Sequence, residues 1–253
     1  MFLVIKKKTI AFVLAGLLAA AGLIFSLSGA NAAAVYFGTS LRKIPIYRVD
    51  TQEKKIALTF DAAWGADKTE GIMEILKEYG ADATFFLVGF WMESYPEMTR
   101  KIAENGFEIG THSNTHPHMS RLDTETIVTE LTVSCAKISS LTDQQVTLFR
   151  APFGEYNDKV MTAAEGLGLQ TIQWDVDSLD WKNGPATDTV NRVINKVKPG
   201  SIVLFHNNSD HILEILPPVL IALKEQGYTF VRVSDLIYHG NAYVDSQGEQ
   251  KLN

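Results

Sequence analysis

From residue 55 onward the chain alternates short, β-rich apolar runs with longer stretches whose apolar residues recur every three or four positions. "KIALTF" (55–60) precedes a predicted helix near 68–79, in which Ile72, Ile75, Leu76 and Tyr79 share one face before Gly80 ends the pattern. "ATFFLV" (83–88) precedes a helix opened by Pro96 and closed at Gly106. "EIGT" (108–111) precedes a long helix for which Asp123 is the expected N-cap. The alternation continues with "TLFRA" (147–151) before a helix around 158–167, and "QTIQW" (170–174) before one around 187–197. "SIVLF" (201–205) then precedes a helix near 212–226, and "TFVRV" (229–233) a short last one. Seven such units predict an α/β fold with a parallel sheet wrapped by helices, and that number most naturally closes into a barrel.

The first 32 residues follow another pattern. Three lysines precede an apolar run from Ile10 to Leu27, and Ala30-Asn31-Ala32 supplies the small-x-small signature of a signal-peptidase site. A run of about 18 residues is also just long enough to span a bilayer. Residues 1–32 are therefore read as an export signal, cleaved or retained as an N-terminal membrane anchor with its lysines in the cytoplasm. Residues 33–53 read as an extended lead-in, 54–239 as the α/β domain and 240–253 as a polar tail.

Composition changes this picture only in part. With 46% apolar and 21% charged residues, the 253-residue chain is neither disordered nor a multi-pass membrane protein. Residues 1–32 hold three of the 23 basic side chains and none of the 29 acidic ones, so the exported body is acidic. It has no basic cluster, which argues against nucleic acid as a partner and suits work on neutral or mixed-charge polymers. Cys135, the single cysteine, has no internal disulfide partner and reads as a small buried hydrophobe.

The chemistry-bearing residues sit at strand ends. Asp61 follows the first predicted strand, His112 and His116 the third, Arg150 ends the fourth, Asp175 and Asp177 follow the fifth, and His206 follows the sixth. In a parallel barrel those ends share one face, so these groups are expected to converge there. The four-residue spacing of His112 and His116 puts both imidazoles on one side of a turn and suits a divalent cation such as zinc. His118, past Pro117, is expected to face solvent or a neighbouring loop, and Asp175 to cap a turn. Trp64 and Trp91 are read as packing residues before sugar-stacking ones.

Five ordered segments, "TFDAAWG" (59–65), "HSNTH" (112–116), "RAPFG" (150–154), "DSLDW" (177–181) and "LFH" (204–206), resemble the motifs of the polysaccharide deacetylases of carbohydrate esterase family 4, the NodB-homology family. The likeness covers about residues 54–237 and is greatest to sporulation-associated members, which share the "TFDAAWG" opening. It implies a distorted (β/α)7 barrel and removal of N-acetyl groups from a cell-envelope polysaccharide, either peptidoglycan or chitin-like. It also implies roles for the residues. Asp61 would be the general base and Arg150 its partner, while His112 and His116 would hold the metal, zinc first, with cobalt or manganese as alternatives. Asp177 would support His206, the general acid. The backbone N–H of Phe153 would help to bind the oxyanion, and Trp181 and Leu204 would wall the acetyl group. The expected partner is an acetylated glycan acted on by a monomer, at the cell envelope or outside it.

One position departs from the family. Where most members carry a second aspartate as third metal ligand, this chain has Ala62. That raises two alternatives: a glycan-binding pseudoenzyme, and an O-acetyl esterase using the same machinery.

Overall fold

A computed structural model describes residues 42–253; the expected export signal or anchor in residues 1–32 lies outside the described residues. In chain order the elements begin β1 (Arg48–Val49), β2 (Lys55–Ala62), α1 (Thr69–Glu78), β3 (Ala83–Leu87), α2 (Gly89–Ser94), α3 (Pro96–Glu104) and β4 (Glu108–Thr111). They continue with α4 (Thr124–Thr142), β5 (Leu148–Phe149), α5 (Asp158–Gly166), β6 (Gln170–Thr171), β7 (Val176–Asp177) and α6 (Ala186–Lys196). Last come β8 (Ile202–His206), α7 (Ile212–Glu225), β9 (Thr229–Phe230), α8 (Val233–Leu236), β10 (Ala242–Val244) and β11 (Glu249–Leu252).

Seven parallel strands lie in the order β6-β5-β4-β3-β2-β8-β7, and β9 pairs with the start of β2. This is the distorted barrel of the NodB type, open between β6 and β7. Its alternating side chains divide inside from outside. Along β2, Leu58, Phe60 and Ala62 join an outer apolar cluster with Ile72 and Leu76 of α1 and Ile215 and Leu216 of α7. Ala57 instead packs inward with Phe86, Leu148, Ile172 and Ile202. The ring of Phe86 requires Gly110 on the neighbouring strand, because a Cβ there would come within 2.6 Å of it.

Three features differ from the sequence reading. The strands expected at 147–151, 170–174 and 229–233 shrink to two residues each; the first two lie where the ladder frays, β4 and β5 sharing only the pair Thr111↔Phe149. The turn after β6 adds the short strand β7, paired to β8 through Asp177↔Leu204. Finally, the extended lead-in and the polar tail meet, with β1, β11 and β10 forming a second sheet. The lead-in also reaches the open seam: Ile46 exchanges hydrogen bonds with Thr171 and Gln173 beside β6, and the Val49 N–H donates to Gly200 before β8. The tail reads as polar because its sheet has little apolar surface to bury, and cross-strand partners so distant in sequence leave no local signal.

Candidate active site

Asp61 and His206 are direct partners in the parallel register of β2 and β8, so both side chains emerge at the same level of the barrel mouth. His112 follows β4, Arg150 follows β5, and Asp177 ends β7. The ends of five strands thus surround a cavity of about 460 Å³ whose lining includes Asp61, His112, His116, Phe153, Asp177, Trp181, Leu204 and His206. Asp175 lies outside it. Its carboxylate accepts from the Ile202 N–H at 2.9 Å and the Ser201 hydroxyl at 2.9 Å, tying β7 to β8.

Arg150 is fully buried, with its guanidinium 4.2 Å from the ring centre of Phe86. It donates to Asp61 Oδ1 at 2.8 Å, Thr59 Oγ1 at 2.8 Å and the Gln173 carbonyl at 3.1 Å. Thr59 and Asp61, two apart on β2, face the same side, so one cation fixes both. Burial pushes the Asp61 carboxyl upward, but the Arg150 charge, helped by His112 and His206, outweighs it and holds the group below its ordinary value.

The His112 ring is oriented from behind. Its Nδ1 lies 2.8 Å from the Arg150 carbonyl, which can only accept, so the proton sits on Nδ1 and Nε2 carries the lone pair. That Nε2 is 3.5 Å from Asp61 Oδ2. Burial lowers the His112 pKa and, with the neighbouring His112 charge second, pushes that of His116 down to about 4. Two neutral imidazoles therefore stand beside a carboxylate, a donor set that a divalent cation would satisfy. Ala62, where the family resemblance implies a third ligand, is fully buried in the outer cluster and does not line the cavity, and among the described residues no group of three or more His, Cys, Asp or Glu side chains is placed to hold a metal.

The loop that carries the imidazoles is strained and braced. Ser113 and His116 both take left-handed backbone, at φ 68° and 56°. Glu130, buried on α4, accepts from the Asn114 and Thr115 N–H groups and from the Thr115 hydroxyl. Sequence reasoning missed Glu130; its signal was an acid on the apolar face of α4, level with Ile127 and Leu131.

The support of His206 corrects the expectation placed on Asp177. His206 Nδ1 lies 2.8 Å from Asp180 Oδ1, and its backbone N–H donates to Asp180 Oδ2 at 2.8 Å. Asp177 instead accepts from the Leu179 N–H at 2.8 Å. Leu179 adopts φ 58°, and this left-handed turn brings Asp180 back beneath the imidazole. The missed signal was the second acid of "DSLDW". Burial lowers the His206 pKa, but the hydrogen bond and charge of Asp180, then Asp61 and Asp177, raise it more, and the net direction is upward. A carboxyl whose pKa is lowered and an imidazole whose pKa is raised thus face one cavity.

Aromatic rings frame its mouth: Trp64, Phe153 and Trp181 are each more than half exposed. Trp91 is buried, and its indole donates to the Gly65 carbonyl at 2.6 Å.

The polysaccharide deacetylase family model matches residues 48–172. A peptidoglycan-N-acetylglucosamine deacetylase of Bacillus cereus is 34% identical over 196 residues, covering 76% of this chain and 92% of that one. Bacillus subtilis PdaA, a family 4 carbohydrate esterase of known structure, aligns with a TM-score of 0.72 and 30% identity over 76% of this chain and 84% of its own. A family 4 pseudoenzyme from Bacillus anthracis aligns with a TM-score of 0.74 and 37% identity, over 76% of this chain and 68% of its own. A mutant of that protein is described as having restored enzymatic activity. Fold, motif order and these likenesses agree, and the chain belongs to the polysaccharide deacetylase family, carbohydrate esterase family 4.

Proposed function

We propose that this protein hydrolyses N-acetyl groups on the glycan strands of peptidoglycan at the cell envelope. One observation carries the reading: Asp61 and His206 occupy paired positions on adjacent strands, each bonded to its own buried partner, Arg150 and Asp180, and both open to one cavity. Amide hydrolysis needs that pairing, because water must lose a proton as it attacks and the departing amine must gain one. Asp61, ionised by Arg150, takes the first proton. His206, kept as imidazolium by Asp180, delivers the second. The Phe153 N–H supports the developing oxyanion, while Trp181 and Leu204 bound the acetyl methyl. A divalent metal on His112 and His116, zinc in the first instance, would polarise the acetyl carbonyl and lower the pKa of water from ~15.7 towards ~7.

The named deacetylases among the relatives and the export segment read in residues 1–32 support a peptidoglycan substrate outside the membrane. A role in sporulation rests on the shared "TFDAAWG" opening. The test is acetate release from peptidoglycan fragments and chitin oligomers, each with zinc, cobalt and manganese. Ala62 and the pseudoenzyme neighbour favour a second reading, a glycan-binding protein without turnover. Glycan binding without acetate release under every metal would establish that reading and remove the first.

A further inference from the structure

His118 does not line the cavity, yet its ring lies flat against Phe153, which does. The two rings stack with centroids 4.4 Å apart and planes 19° from parallel. His116 meets Phe153 edge-on at 4.6 Å. His118 is itself held, with Nδ1 3.0 Å from Glu155 Oε2, the oxygen to which the Ser120 hydroxyl also donates at 3.3 Å.

The backbone shows why bracing is needed. Phe153 stands at φ 59°, ψ 8°, a left-handed conformation in which the Cβ of an L residue crowds the following carbonyl. Bulky side chains persist there only where their surroundings over-determine the conformation. Phe153 is 55% exposed as a residue, so burial in the core does not hold it. Among the described residues its aromatic contacts are the two histidines. Relaxation to negative φ would turn the peptide planes on both sides of Phe153, which lines the cavity, and so re-aim its N–H.

We propose that His118, held by Glu155, is a positioning residue that clamps the Phe153 ring, keeps that residue left-handed and so aims its N–H at the substrate's acyl oxygen. The use made of that N–H rests on the function proposed above; the clamp itself does not. The full chain carrying His118→Ala, and separately His118→Phe, is crystallised and assayed beside wild type. In His118→Ala the Phe153 backbone leaves the left-handed region. There kcat falls about tenfold to a hundredfold, less than the roughly 10²–10³ lost with an oxyanion donor itself. KM stays within about twofold, as expected for a contact made only in the transition state. His118→Phe, which keeps a flat ring, preserves both the conformation and kcat. The clamp is overturned if Phe153 in His118→Ala stays left-handed with kcat unchanged, or if His118→Phe is as impaired as His118→Ala. Should wild type release no acetate under any metal, the proposed function fails, and the Phe153 conformation alone decides the clamp.

Discussion

Asp180→Asn tests the link between the buried carboxylate and the proposed acid. Both Asp180 oxygens accept from His206, one from Nδ1 and one from the backbone N–H, and Oδ1 also accepts from the Trp181 N–H at 2.9 Å. An asparagine offers one acceptor and one donor at that site. Whichever way the amide turns, its NH2 meets either the His206 N–H or the imidazole nitrogen that must carry a proton. A hydrogen bond to a charged group contributes about 1.5–3 kcal/mol. If that amount is lost from the imidazolium in the transition state, kcat falls about 10- to 150-fold at about 1.4 kcal/mol per decade. The sign with pH follows from the raised His206 pKa. The protonated acid survives to higher pH in wild type, so the alkaline limb of kcat moves to lower pH in the variant. The assay is acetate release against pH for wild type, Asp180→Asn and Asp177→Asn, with melting curves to confirm folding. An unmoved alkaline limb in Asp180→Asn, or greater damage from Asp177→Asn, would refute the assignment.

Three further outcomes are expected. His112→Ala combined with His116→Ala abolishes divalent-metal binding measured by elemental analysis and titration; equal metal content in wild type and variant would remove the two imidazoles as ligands. Ala62→Asp tightens metal binding in calorimetric titration, and an unchanged affinity would show that position 62 does not reach the cation. Arg150→Met leaves Asp61 buried without its partner and lowers stability by about 3–5 kcal/mol at neutral pH in denaturant titrations. Because the Asp61 pKa is lowered in the folded state, the pair's contribution is present above the unfolded value of about 3.9 and is lost as pH falls below it. A stability gap that stays constant down to strongly acidic pH would contradict this.

Much of the fold was legible because its signals are local. The helix at Thr69–Glu78 follows from the spacing of Ile72 and Leu76, and the Asp123 cap from an acid placed just before an apolar period. Strand ends at Asp61, Arg150 and His206 could be read from where apolar runs stop. Asp180 and Glu130 were not readable in the same way. Each acts through a turn or a helix face whose direction is set by tertiary packing, and their neighbours Asp177 and Glu125 look equally plausible in the sequence. His118 was expected to face solvent or a neighbouring loop; it packs on the loop of Phe153, and nothing local names that partner ring 35 residues away.

The succession of strands and helices along the chain and the level at which the reactive groups emerge are properties of the amino-acid sequence alone, because periodicity and residue type are inherited directly by the elements. Which carboxylate meets which imidazole was decided only in three dimensions. A single left-handed residue, Leu179, redirects the chain and hands His206 to Asp180, and no pattern of apolar and polar positions encodes that turn. The same holds for the second sheet, where a lead-in and a tail about 200 residues apart come together through backbone hydrogen bonds that leave no periodic signal in either segment.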